Sequence, residues 1–262
     1  MENYTNDNTA RRYRAHVSIL GTTQIHLRNP YIIAWWSAAF PGFGHLLLSK
    51  YLRGFVLFIW EVIVNLQANV NLAMIYSFQG EIEKAKEVLD TRWLLIYIPV
   101  YIFGIWDSYR TTVDMNKIFI LADREEHQFN SFSIGALEIN YLDKRNPVMA
   151  VLWSAFVPGL GQLYIHRIVT AFFIIIWTVL FFYYSHGLEA ISHLFLGEIN
   201  QATAVLEPQW LLFFPSLYGF AIYDSYMNTV ENNKLYDKEQ RKYFLEKYQS
   251  PSFMVLKGQK VK

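Results

Sequence analysis

Apolar residues fall into six long blocks, three in each half of the 262-residue chain. In the first half, block A runs from 31 to about 48, block B from 54 to about 78 and block C from 93 to about 109. A helix crosses a bilayer core of roughly 30 Å with about 20 apolar residues. Block B has that length, block C reaches it marginally, and block A carries a Pro-Gly-Phe-Gly interruption. The pattern predicts an all-α, polytopic integral membrane protein.

The second half of the chain repeats the first. Aligning Arg28-Asn29-Pro30 with Arg145-Asn146-Pro147 sets an offset of 145 − 28 = 117, which holds without gaps to Lys117 and Lys234. A unit of this length is a membrane domain present twice rather than a solenoid repeat. The predicted organisation is an N-terminal segment, a first copy, a polar linker, a second copy and a basic tail, at 1–27, 28–117, 118–144, 145–234 and 235–262.

Block A is broken at the same place in both copies, within "WSAAFPGFGHLLLSK" and "WSAFVPGLGQLYIHR". Proline removes a backbone donor, and glycine accepts turn conformations. Exposed backbone at such a turn cannot face lipid, so blocks B and C must cover it. We expect block A to re-enter the membrane or to lie at its interface; the alternative is a Pro-kinked spanning helix. The residues of the two breaks are Pro41, Gly42, Gly44, Pro158, Gly159 and Gly161.

Basic residues predict the orientation of the chain. The second copy has no Lys or Arg between Arg167 and Lys234, so its B–C loop is expected on the outer face. Both flanks of block A carry basic residues, which favours two crossings per copy and four in total. Both termini and the linker are then cytoplasmic at a cell membrane. The B–C loop of the first copy opposes this prediction, because it carries Lys84, Lys86 and Arg92.

Composition narrows the function classes. The chain is 53% hydrophobic and 18% aromatic, which exceeds the usual composition of soluble domains. Its net charge of +1 does not favour nucleic acid as a partner. It contains no Cys, no G-x-S-x-G motif and no phosphate-binding loop, and its His residues share no ligand spacing between the copies. We therefore predict no catalytic residue, metal or cofactor.

The motif "VPGLGQLYIHR", followed by an apolar helix, a short loop and a second helix ending in "AIYDSY", resembles the TM-two domain family. The resemblance covers Trp36 to Tyr109 and Trp153 to Tyr226. It implies a paired-helix membrane fold and no particular substrate. His45 departs from the P-G-x-G-Q-x-Y pattern by replacing the Gln, and the Gly that usually follows the Tyr is Ser49 in one copy and His166 in the other.

Two sets of polar residues are candidate sites. Charged groups at a membrane boundary favour pairing, so we expect ion pairs between Arg28 and Asp107 and between Arg145 and Asp224; independent solvation of each charge is the alternative. The second set forms a stripe on block B, because helix positions i, i+4 and i+8 share a face. This stripe either lines a polar cavity or forms a purely structural hydrogen-bond network. The residues of the stripe and its counterparts in the second copy are Glu61, Asn65, Asn69, Thr178 and His186.

The B–C loops, "GEIEKAKEVLD" and "GEINQATAVLE", each predict a short amphipathic helix on the outer surface.

A parallel duplication also favours a pseudo-twofold bundle. With no catalytic constellation, the leading hypothesis is an accessory or assembly subunit of a membrane complex, in contact with the lipid bilayer and with a membrane-protein partner or a further copy of itself. The alternative is a small solute or ion transporter that uses the polar stripe around Glu61 and Asn65.

Overall fold

The computed structural model describes residues 11–125 and 129–249, which are mainly helical with two small antiparallel sheets. The first half contains β1 (Ala15–Ser18), β2 (Gly21–Gln24), α1 (Pro30–Ala39), α2 (Phe43–Leu47), α3 (Tyr51–Ala68), α4 (Val70–Phe78), α5 (Ile82–Val88) and α6 (Thr91–Glu125). The second half contains β3 (Phe132–Ile134), β4 (Ile139–Tyr141), α7 (Pro147–Phe156), α8 (Leu160–Tyr164), α9 (Ile168–Tyr184), α10 (Gly187–Phe195), α11 (Ile199–Val205), α12 (Pro208–Leu211) and α13 (Phe214–Lys247).

The offset of 117 residues relates these elements from the hairpins onward. The β1–β2 hairpin lies in the predicted N-terminal segment, and its equivalent, β3–β4, lies in the predicted linker. Each structural repeat therefore consists of a hairpin followed by the helices. The expected short helices in the B–C loops are confirmed as α5 and α11, which bury Ala85 and Ala202.

The chain reverses direction at the break in block A. Asn29 caps α1 through its side chain, and Gly42, at φ 100°, is the N-cap residue of α2. A Cβ added to Gly44 would lie 2.6 Å from the carbonyl oxygen of Ile33. Those residues would be about 16 Å apart along a continuous helix, at about 1.5 Å per residue. The predicted interruption is confirmed, and α2 folds back against α1.

Block B is not one straight helix, contrary to expectation. It divides at Asn69, whose φ of 56° is left-handed, and the equivalent His186 at φ 55° divides the second copy. Such residues end α-helices because they turn the next amide away from the hydrogen-bond ladder. Block C is longer than predicted: α6 continues to Glu125, well into the expected linker.

Within the described residues, one helix can cross a membrane by itself on length and apolar composition, Tyr51–Ala68. Two further segments qualify only as bent pairs. These are α5 with α6, at 90°, and α9 with α10, at 66°. The count of possible spans is thus one to three, against the four predicted.

An aromatic seam joins the two copies. The ring of Phe43 stacks on Phe220 with centroids 4.0 Å apart, and Phe55 stacks on Phe173 at 4.1 Å. Trp36 packs edge-on against Phe220, with centroids 5.9 Å apart. The first copy contributes α1, α2 and α3 to this seam, while the second contributes α9 and α13. Different faces of the two copies therefore meet, which is not the pseudo-twofold arrangement expected from the duplication.

The β1–β2 hairpin also belongs to the contact between copies. The amide of Ile168, at the start of α9, donates to the carbonyl of Leu20 at 3.1 Å. A ring nitrogen of His166 lies 3.0 Å from the carbonyl oxygen of Ile19. The first hairpin is thereby attached to the α8–α9 junction of the second copy.

Candidate functional site

Each block A break ends in a left-handed turn, which is followed by buried Arg167 in the second copy and by exposed Lys50 in the first. Ser49 and His166 follow α2 and α8 with φ 58° each. In the second copy, the amides of His166 and Arg167 donate to the carbonyls of Leu163 and Gln162, at 2.9 and 2.8 Å. This pair of bonds forms a Schellman motif, which favours Gly at its left-handed position. The position is the one at which the resembled family carries Gly.

This turn places Arg167 in a fully buried ion pair with Asp224. The guanidinium donates to the carboxylate at 2.5 Å, and the two side chains are 3% and 0% exposed. Asn228 and Gln162 also donate to the carboxylate, at 2.8 and 3.2 Å. Tyr51 of the first copy accepts a bond from Arg167 at 3.3 Å. The cluster therefore joins α8, α9 and α13 to the other copy.

The equivalent cluster in the first copy is smaller and more exposed. Asp107 is 3.0 Å from the ring Nε2 of His45 and accepts a bond from Arg53, also at 3.0 Å. His45 is buried, whereas the Arg53 side chain is 60% exposed. The first copy thus replaces a buried charge pair with a histidine contact and a solvated arginine.

These partners correct the expected pairs of Arg28 with Asp107 and of Arg145 with Asp224. Both arginines are instead held through their backbones. The amide of Arg28 donates to the side-chain oxygen of Asn116 at 3.0 Å, and the Asn116 amide returns a bond to the Arg28 carbonyl at 2.8 Å. Asn233 makes the same two bonds with Arg145, at 2.9 and 2.7 Å. In each copy, two hydrogen bonds between an Asn side chain and an Arg backbone therefore connect the residues before block A to the helix that contains block C.

The Arg28 side chain approaches the other copy. Burial and repulsion by Arg167 lower the pKa of its guanidinium to about 10, while the Asp224 carboxylate acts in the opposite direction. In the second copy, the Arg145 guanidinium lies over the Tyr164 ring, 5.5 Å from its centroid. Neither arginine side chain therefore pairs with the aspartate expected from its own copy.

Small residues allow the broken segment to approach blocks B and C closely. A Cβ on Gly161 would overlap the Ala150 carbonyl and the Ser154 hydroxyl, and Ser154 donates to Ser225 at 2.9 Å. Gly42 and Gly159 have φ 100° and 103°, and Cβ atoms added there would meet backbone atoms of α3 and α9, respectively. Pro41 and Pro158 precede these glycines and occupy the reversal itself. The predicted break residues thus share a packing role.

The polar stripe of block B forms a buried network in the first copy. Glu61 accepts bonds from Asn65 and from the Tyr97 hydroxyl, both at 3.1 Å. Asn65 donates to Asn71 at 3.1 Å, and Asn71 donates to the carbonyl of Gln209 in the second copy at 2.9 Å. The second carboxylate oxygen of Glu61 is buried and has no hydrogen-bond partner.

The other stripe positions are not part of this network. Asn69 turns away to donate to the Val88 carbonyl at 3.0 Å. Thr178, at the position of Glu61, donates to the Ile174 carbonyl of its own helix at 2.8 Å. His186 lies 3.2 Å from Glu189 at the exposed start of α10. The structure therefore assembles Glu61 and Asn65 but separates Asn69, Thr178 and His186 from them.

Sequence reasoning missed the residues that complete these clusters. Arg167, together with Arg53 among the basic residues that flank block A, was interpreted only as an orientation signal, and Tyr97 only as part of block C. Asn116 and Asn233 could have been identified from the sequence, because both copies carry Asn at this position although the residues around it are polar. Tyr97 had none, since its counterpart in the second copy is Phe214.

No protein-family model matches the chain, and no curated protein or solved structure matches it. The resemblance to the TM-two domain family stays a prediction.

Proposed function

We propose that the chain is a multi-pass membrane protein with a non-enzymatic role, an accessory or assembly subunit of a membrane complex at the cell membrane. The observation that carries this proposal is the distribution of side chains across the helices. Large apolar residues are exposed around α3, α6 and α9, including Val56, Ile63, Ile102, Phe103, Ile176 and Val179. The interior holds carboxylates, amides and an ion pair in addition to the aromatic seam.

A soluble domain exposes few large, continuous apolar patches. A lipid environment reverses this constraint, because hydrocarbon tolerates apolar side chains and requires polar groups to be satisfied internally. The buried ion pair of Arg167 and Asp224 meets that requirement, whereas one carboxylate oxygen of Glu61 has no hydrogen-bond partner. At 18 residues, α3 is about 27 Å long at about 1.5 Å per residue, which matches a bilayer core of roughly 30 Å.

The proposed orientation has both termini in the cytoplasm and the B–C loops outside, as the basic residues predict. Thiol labelling tests it, because the chain has no native Cys. Single replacements at exposed positions are required: Glu83→Cys in α5, Gln201→Cys in α11 and Thr23→Cys in the first hairpin. In intact cells, an impermeant reagent should label the first two and should reach Thr23→Cys only after permeabilisation. Labelling of Thr23→Cys alone in intact cells would contradict the proposed orientation.

The subunit role is tested by purification of a tagged chain from native membranes in mild detergent. Mass spectrometry should identify a second membrane protein at fixed stoichiometry. A preparation that contains only this chain, at every detergent mild enough to preserve its fold, would contradict the accessory-subunit role.

A second candidate function is transport of a proton or cation past Glu61. It is favoured by the unpartnered carboxylate oxygen of that buried side chain. In vesicles containing the purified protein, Glu61→Gln should abolish ion flux, while Asp114→Asn, on the exposed part of α6, should leave it unchanged. Equal flux in the Gln variant and the parent protein would remove this candidate.

A further inference from the structure

The contact between the two copies is heterologous, and it leaves one equivalent surface unused on each copy. The first copy presents its hairpin, α1, α2 and the inner side of α3; we call this the leading face. The second copy presents the α8–α9 junction, the side of α9 that carries Phe173, and α13; we call this the trailing face. By the 117-residue offset, the second copy has its own leading face and the first copy its own trailing face.

Both unused faces are aromatic and exposed. Trp36 is 7% exposed on the used leading face, whereas its equivalent Trp153 is 43% exposed. Phe220 is fully buried on the used trailing face, whereas its equivalent Phe103 is 52% exposed. Trp106, which corresponds to Tyr223, is exposed beside Phe103, with ring centroids 6.0 Å apart.

The unused faces retain the residue types that make the contact inside the chain. Trp36 packs against Phe220 and Tyr223, with centroids 5.9 and 5.1 Å apart. The corresponding trio consists of Trp153, Phe103 and Trp106, which are aromatic at all three positions and identical at the first two. Such a set can form the same edge-to-face contact between two molecules.

The hairpins repeat this asymmetry. In the first hairpin, Ala15 and Val17 are buried, and Ala15 packs with Leu235 of α13. The equivalent residues of the second hairpin, Phe132 and Ile134, are exposed, although they are larger and more apolar. Leu137, at the tip of this hairpin, is 85% exposed.

The partner of the first hairpin also has an exposed equivalent. Leu235 is fully buried, whereas its equivalent Ile118 in α6 is 41% exposed. At the α2–α3 junction, where a docking hairpin tip would lie, Leu52 is exposed as well. The unused surfaces therefore match at the Trp153 trio and at the hairpin and its partner helix, while apolar Leu160 and Val56 stand where the used interface has Phe43 and Phe173.

We infer that a second copy of this chain docks head to tail, with the leading face of its second repeat on the trailing face of the first repeat of its neighbour. A heterologous contact of this kind closes into a ring or continues as an array. With two crossings in each copy, as the basic residues predict, both repeats have the same orientation, and a rotation axis normal to the membrane preserves that orientation. The matched surfaces themselves do not depend on the proposed function.

Bulk lipid could cover the two unused faces in place of a second copy. Chemical crosslinking distinguishes the two cases. Inside the chain, the Ser216 hydroxyl donates to the Ala39 carbonyl at 3.3 Å, so these two positions mark the contact. Their equivalents on the unused faces are Pro99 and Phe156, both exposed. Chains carrying Phe156→Cys and chains carrying Pro99→Cys, with different tags, are co-expressed. Their membranes are then treated with a short bifunctional thiol reagent.

A crosslink between the two tags is expected, at a yield several times that of an off-face pair, Ile176→Cys with Pro99→Cys. The matched control is the double variant Ala39→Cys and Ser216→Cys, which should form the equivalent link inside one chain. Adding Trp153→Ala or Leu137→Lys to the Phe156→Cys chain should each reduce the intermolecular yield severalfold. Neither change should affect the intrachain link.

Two results would overturn the inference. One is an intermolecular yield no higher than that of the off-face pair while the intrachain control forms, which would leave lipid on these faces. The other is failure of the intrachain control itself, because that interface is the template for the contact between molecules. A failed orientation test by thiol labelling would affect neither result, so the two proposals fail separately.

Discussion

Asp107 and Asp224 occupy the same position in the two copies, yet their surroundings differ. Asp224 is fully buried with Arg167, whereas Asp107 is partly exposed and shared by His45 and a solvated Arg53. A buried charge is costly to leave unpaired, but a pair near solvent contributes little. The second copy, which carries the buried pair, also supplies the trailing face of the seam. We therefore expect the Asp224 pair to contribute more to stability than the Asp107 cluster.

The largest effect is expected from matched Asp→Asn variants. Asp224→Asn leaves the Arg167 charge buried without a counter-charge, and we expect a loss of about 3–5 kcal/mol in unfolding free energy. Asp107→Asn should cost about 1 kcal/mol or less, because Arg53 stays solvated. Thermal unfolding of both variants in detergent measures the difference.

If Asp224→Asn does not accumulate, the double variant with Arg167→Gln should restore part of the yield by removing the unpaired charge. Equal losses from the two Asp→Asn variants would contradict the assigned difference between the copies.

An intermediate effect is expected at His26, which precedes block A and corresponds to Asp143 in the second copy. Burial and the positive charge of Arg28 lower the pKa of His26 to about 4, although Glu231 acts in the opposite direction. The folded protein therefore resists protonation that the unfolded chain accepts at about pH 6.5. Stability is retained above pH 6.5 and is lost as the pH falls toward 4, by about 3 kcal/mol in total.

Comparison with His26→Gln isolates this contribution from those of the carboxylates. The variant should lose less stability than the parent protein between pH 6.5 and 4, as measured by melting at several pH values. Lys234 also faces this group and adds to the repulsion of a charged His26. Parallel pH profiles for the two proteins would show that His26 is not protonated on unfolding.

The smallest effect is expected at the left-handed turn residues. Ser49→Gly should stabilise the first copy by about 1 kcal/mol, because glycine adopts φ 58° without the strain of a side chain. His166→Gly should give little net change, since it also removes the contact with Ile19 of the hairpin. Melting temperatures of the two variants test this difference. A larger gain from His166→Gly than from Ser49→Gly would show that the hairpin contact contributes nothing.

Much of the architecture was predictable from local pattern. The duplication, the two breaks and the short helices between blocks B and C all depend on residues close in sequence. Pro41 and Gly42 interrupt a helix wherever it lies, because one lacks a donor and the other adopts a positive φ. The lengths of blocks B and C were harder to predict. Asn69 ends a helix only when its backbone turns left-handed, and α6 continues into a polar segment that was interpreted as a linker.

The sequence by itself determined that the chain is a duplicated, mainly helical protein with a helix break in each copy, since turn chemistry and hydrophobic periodicity are local properties. Only the tertiary structure decided which charges pair and which faces meet. The Schellman turn brings Arg167 to Asp224, and no spacing along the chain encodes that approach. Trp36 and Trp153 have the same local pattern, yet one is buried and the other exposed. An apolar ring suits lipid and a protein interface equally, so the packing of the whole chain decides between them.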